Sequence, residues 1–184
     1  MDLRITKTKT AIINAFLSLR SKKPLEKITI KELCEQAMIN KSTFYSHYGD
    51  IYELSDMLET EVVLSVIQSM DHPEYIFENP GEFTRQLFFG YLSQDNLIQI
   101  LFSDNRSSRL VSKIDRAVKE LAFEKYPQFR SQPAQNIGLT FAIYGGYYAY
   151  AESRNYDRDT VISILGEIIR KIGELLTLPE DRLN

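Results

Sequence analysis

Between Thr29 and Leu54 the chain reads TIKELCEQAMINKSTFYSHYGDIYEL, which admits two short helices joined by a tight turn and then a third helix start. Thr29 and Glu32 form a capping box: the hydroxyl accepts from a first-turn N–H, and the glutamate reaches back to the N–H of Thr29. Ile30, Leu33, Cys34 and Ala37 then recur three or four apart, so this helix buries one narrow face. Met38 and Ile39 interrupt the pattern. Asn40 is a good N-cap for a second helix from Lys41 to His47, and Asp50 with Glu53 is a further capping box.

At roughly 100° per residue, Phe44 and Tyr48 share one side of the second helix, while Ser42 and Ser46 point almost opposite, flanked by Thr43 and Tyr45. An exposed helix face is usually built from Glu, Lys or Gln. Ser, Thr and Tyr are poorer helix formers and need another reason to be there. Their donors and acceptors suit phosphates and base edges, so the segment has the outline of a helix-turn-helix reader of DNA.

The run INKSTFYSHYGD resembles the signature of the tetracycline-repressor (TetR) family of bacterial transcription regulators, over about the first sixty residues. The resemblance implies an initial helix, here about Thr6 to Arg20 with Ile5, Ile12, Ala15, Phe16 and Leu19 on one face, packed across the two reader helices. It further implies that Thr29 and Lys31 sit at a phosphate and that Lys41, Ser42 and Tyr45 reach bases or groove walls. Thr43, His47 and the amide end of the recognition helix would hold the backbone, so that the DNA-facing set expected is Thr29, Lys31, Asn40, Lys41, Ser42, Thr43, Tyr45, Ser46, His47 and Tyr48. Two positions depart from the family pattern: Met38 stands where many members have Gly, and Ile51 where many have Lys.

Charge is distributed accordingly. Residues 1–50 hold nine basic against five acidic side chains, a net of +4, while the other residues hold thirteen against twenty, a net of −7 that gives the chain its −3. For nucleic-acid binding the local patch matters more than the total. A chain of 184 residues with 43% hydrophobic content can bury a good core. No apolar run of about 18 residues marks a membrane span, and no export signal stands at the start, so a cytoplasmic location without membrane contact is expected. The lone Cys34 reads as a packing residue in a reducing compartment.

Beyond the reader the pattern is helical throughout. Helices are expected over about Asp50 to Met70, from Asn79 as N-cap with Pro80 at N1, over Ser107 to Lys125, Ala134 to Arg154 and Asp159 to Thr177. Asp71 to Glu78 and the span between Pro127 and Pro133 read as loops, and Leu97 to Phe102 as a short apolar piece. The fold class is all-α: a three-helix DNA-binding domain over residues 1–50, then an antiparallel helical bundle over 51–184 whose last two long helices form a hairpin and dimerise. The wide apolar stripe from Val161 to Leu176 asks for a second partner surface. Gly145 and Gly146 would allow close approach of another helix, either within the chain or across a two-fold axis; the resemblance implies the second. Gly145, Gly146, Tyr148, Ile164, Ile168 and Ile172 are the expected interface. Phe88, Tyr91, Phe102, Leu121 and Phe141 are candidates to line an effector pocket.

No phosphate loop, metal spacing or nucleophile motif points to an enzyme or a cofactor, and acids such as Glu120 and Glu124 read as solvated. The function implied is that of a sequence-specific, ligand-responsive repressor acting as a homodimer on a palindromic operator in double-stranded DNA, with a small-molecule effector. The alternative is a coactivator of the same fold that depends on a partner protein or on no ligand.

Overall fold

Ten α-helices follow one another in the computed structural model, which describes residues 3–104 and 106–176. They are α1 (Leu3–Arg20), α2 (Ile30–Ala37), α3 (Lys41–Tyr45), α4 (Ile51–Gln68), α5 (Tyr75–Glu78), α6 (Pro80–Ser93), α7 (Asp95–Leu101), α8 (Ser107–Lys125), α9 (Pro133–Glu152) and α10 (Arg158–Leu176). Short 3-10 turns occupy Leu25–Lys27 and Pro127–Ser131. The chain divides into two units, Met1–Val62 with Asp95–Ser107, and Val63–Gln94 with Ser108–Asn184.

In the first unit α1 packs on α2 and α7, and α2 on α3. Ile12, Phe16, Leu33, Phe44, Leu54 and Leu101 are fully enclosed, each burial being worth about 1.5–3 kcal/mol. Ile12, Ala15, Phe16 and Leu19 supply the inner face of α1 as the spacing predicts, but Ile5 lies outside it and is about half exposed. Arg20, at the end of α1, is buried: its Nη1 donates to Asp104 Oδ2 at 2.8 Å and to the Lys23 carbonyl at 3.2 Å. Glu59 of α4 is completely enclosed, accepting from Ser55 Oγ at 2.9 Å and from Arg106 Nη2 at 2.5 Å. The turn after α7 thus holds both α1 and α4 by charged contacts.

In the second unit α10 packs on α6 and α9. Glycine is required where α6 crosses α10: a Cβ on Gly81 would stand 2.8 Å from the Gly166 carbonyl oxygen, and one on Gly166 3.0 Å from that of Gly81. Phe88 meets Val161, Ile162 and Leu165 at one end of the crossing, and Pro80 meets Gly173 at the other, so the two helices run antiparallel. Gly146 beside Ile169 and Tyr150 beside Val161, Ile162 and Leu165 set the same sense for α9 and α10, the expected hairpin.

Several boundaries differ from the sequence reading. Helix α3 ends at Tyr45 rather than His47. The segment from Asp71 to Glu78 contains the single turn α5, anchored by buried Ile76, and Leu97 to Phe102 belongs to α7. Pro127 opens a 3-10 turn, and Pro133 takes the N1 position of α9, where its missing N–H costs nothing. Asn79 caps α6 as expected, accepting from the Glu82 N–H at 3.3 Å. The expected end of the last helix at Thr177 lies outside the described residues.

Candidate nucleic-acid interface and internal cavity

The reader is built by its caps. Thr29 Oγ1 accepts from the Glu32 N–H at 3.2 Å, while the Glu32 carboxylate turns to Lys23 Nζ instead of back to Thr29. Asp50 Oδ1 accepts from the N–H groups of Tyr52 and Glu53 at 2.8 Å, and Glu53 Oε2 accepts from the Gly49 N–H at 2.7 Å, one residue beyond the position a capping box predicts. Between them, Asn40 Oδ1 takes three donors at once: the Thr43 N–H at 2.7 Å, Ser42 Oγ at 2.7 Å and Thr43 Oγ1 at 2.8 Å.

That oxygen decides what the recognition helix can offer. Ser42 and Thr43 donate to Asn40, and Ser46 Oγ donates to the Thr43 carbonyl at 2.7 Å. In this arrangement the three hydroxyls turn only lone pairs outward, which suit amino groups on base edges and repel phosphate oxygens. Outward donors come instead from Lys41, from Tyr45, which is about half exposed with its ring edge-on to Phe44, and from the Thr29 hydroxyl. Lys31 also points to solvent, loosely paired with Glu35 at 3.9 Å. His47 is half-buried, its ring beside Tyr48.

Tyr48 is taken up by the core. It is 5% exposed, packs against Phe44, and its hydroxyl has no hydrogen-bond partner among the described residues. Burial, with Glu61 and Glu53 adding to it, pushes its pKa above the usual tyrosine range. Tyr48 thus shares the buried side with Phe44, where its helical spacing already put it, and does not belong to the outward-facing set expected for it. Cys34 is buried as expected, and burial raises its thiol pKa against the smaller opposing effect of Lys41.

The second unit holds a partly open cavity of about 140 Å³ between α4, α5, α6, α8, α9, α10 and the turn at Pro127–Ser131. Of the five pocket candidates, Phe88 and Tyr91 line it. Phe102 is instead buried in the first unit, Leu121 lies off the cavity, and Phe141 is on the outer surface of α9. Helical spacing alone marks an apolar residue as buried and does not say against which space. The lining missed by the sequence reading includes Phe77, Phe83, Ile114, Val118, Phe129, Gln135 and Leu139.

Outward from the cavity, Ile137, Phe141, Tyr148, Ile164 and Ile168 stand exposed on α9 and α10, and a Cβ on Gly145 would meet nothing within 4 Å. Gly146 and Ile172 face the other way and line the cavity. The expected interface therefore separates into an outer set, Gly145, Tyr148, Ile164 and Ile168, and an inner pair.

No family model matches the chain. The HTH-type transcriptional regulator YxbF of Bacillus subtilis (strain 168), itself uncharacterised, is 34% identical over 85 residues, 46% of this chain and 21% of that relative's length. Across nearly the whole chain, the structure is similar to the crystal structure of a TetR transcriptional regulator from Rhodococcus sp. RHA1, with a TM-score of 0.51 at 16% identity, covering 94% of this chain and 97% of that one. The chain has the TetR fold.

Both departures from the TetR pattern are accommodated locally. Met38 takes φ 54°, ψ 44°, so the turn keeps the left-handed conformation that glycine would supply, with the side chain in solvent. Ile51 is 6% exposed and packs into the reader's core instead of reaching outward. This TetR-fold chain thus lacks one outward-facing cation at the start of α4. Among the described residues no helix is long and apolar enough to cross a membrane. Glu120 and Glu124 are exposed on α8, the former facing Arg130.

Proposed function

We propose that the chain is a sequence-specific DNA-binding transcriptional regulator of the TetR type, acting as a homodimeric, ligand-responsive repressor. The observation that carries this is the recognition helix: a five-residue helix whose buried side is Phe44 and whose outer side is Lys41, Ser42, Tyr45 and Ser46, next to exposed Lys31. The Rhodococcus structure and the partial likeness to YxbF support the reading. Two readers related by a two-fold axis would enter successive major grooves about 34 Å apart. The exposed apolar face of α9 and α10 supports dimerisation. The cavity supports an effector, and Val66 of α4 lines it, on the same helix that begins at Ile51 behind the recognition helix. A ligand that displaces Val66 would act on the helix to which the reader is joined.

Selection of genomic DNA fragments by the purified protein tests this reading, with the affinity of recovered fragments followed against salt. A palindromic site is expected. Lys41→Ala is expected to relax preference at one base position by about 1–3 kcal/mol, and Lys31→Ala to weaken all sequences alike and lower the salt slope by about one. Recovery of no fragment above background would overturn the reading and favour a partner-dependent coactivator.

A further inference from the structure

The cavity in the second unit has a selective chemistry. Its lining holds no carboxylate, ammonium, guanidinium or imidazole group. An ionised ligand entering it would lose its hydration without gaining a counter-charge, a loss too large for packing to offset. A volume of about 140 Å³ is close to that of apolar protein cavities that stay dry and accept one benzene ring. The walls contributed by Phe77, Phe88 and Phe129 offer ring faces and edges for such a guest.

One polar atom on this wall, among the described residues, is buried and has no hydrogen-bond partner. Thr84 Oγ1 already donates to the Pro80 carbonyl at 2.8 Å. Gln135, in the first turn of α9, lines the cavity with its Oε1 enclosed and without a hydrogen-bond partner among the described residues. A buried carboxamide oxygen left in that state is destabilising, and a guest that brings a hydroxyl removes the penalty. We propose that the cavity binds a neutral, single-ring aromatic alcohol of the phenol class, with its hydroxyl paired to Gln135 and its ring beside Phe77 and Phe129, whose own rings stand 4.8 Å apart near the start of α9. The proposal rests on the ligand-responsive reading above and names the ligand class for that site.

Direct titration of the full chain, without DNA, tests it by calorimetry or ligand-observed NMR near pH 7. The probes are 4-ethylphenol, ethylbenzene and 4-hydroxybenzoate. Saturable binding of 4-ethylphenol is expected, with 4-hydroxybenzoate at least tenfold weaker. Gln135→Leu should weaken 4-ethylphenol about three- to tenfold while leaving ethylbenzene unchanged or tighter. The comparison of the three probes on the unsubstituted protein stands even if the variant fails to fold. Equal or tighter binding of the carboxylate, no saturable binding of 4-ethylphenol, or equal effects of Gln135→Leu on both neutral probes would each overturn the proposal. If 4-ethylphenol binds as expected but leaves operator affinity untouched, the ligand class stands and the ligand-responsive reading fails.

Discussion

At the scale of single residues, Met38 shows a local rule broken at a definite cost. Its left-handed backbone is disfavoured by about 1–2 kcal/mol for a residue with a Cβ, and its side chain, 92% exposed, recovers little through packing. Met38→Gly is expected to raise stability in urea titrations by up to about 1 kcal/mol, less than the full strain because glycine also frees the unfolded chain. Asp104 is the other residue whose chemistry can be read outright. The Arg20 hydrogen bond holds its carboxyl below the ordinary aspartate range, so its contribution is present at neutral pH and lost as pH falls through that lowered value. Asp104→Asn keeps a side chain that tolerates the φ of 58°. Thermal melts should show the variant less stable at pH 7, with the difference closing well below pH 4. The substitution of Met38 for glycine was legible in the sequence, but the Asp104 pairing was not, because Arg20 and Asp104 are 84 residues apart.

Among the elements, the helix starts were the most legible part of the chain, since Thr29, Asn40, Asp50 and Asn79 act through N–H groups two or three residues away. Glycines were the least legible. Gly145 and Gly146 look like a helix crossing because they are adjacent, yet the close crossing within the chain is made by Gly81 and Gly166, each unremarkable in its own segment. Gly166→Ala is therefore expected to cost about 1–3 kcal/mol through overpacking at the α6–α10 contact. Gly145→Ala, measured in dilute protein, is expected to gain as much as about 1 kcal/mol from helix propensity, since its Cβ enters open space. Denaturant titrations of the two variants side by side check both signs. The cavity shows the same limit: helical period identified Phe88 and Tyr91 as inward, but Phe141 has the same spacing and points out.

For the whole molecule, the surface of α9 and α10 sets the expected assembly. Ile137, Phe141, Tyr148, Ile164 and Ile168 all stand exposed on this pair of packed helices, and a concentration of exposed apolar side chains marks an interaction surface. Ile168→Asp should shift the protein from dimer to monomer in analytical ultracentrifugation, with little change in helical circular dichroism. A dimer that persists unchanged would place the interface elsewhere. The reader's unit carries a further consequence. It takes in Asp95–Ser107 as well as Met1–Val62, and its closing contacts are Arg20 to Asp104 and Glu59 to Arg106. On the ribosome the first 62 residues emerge well before α7 and the turn after it. Until then Arg20 and Glu59 lack the charged groups that satisfy them, and Leu101 is missing from the core. This unit, although it begins the sequence, is therefore completed only by residues made after α5 and α6, and synthesis order and folding order part company.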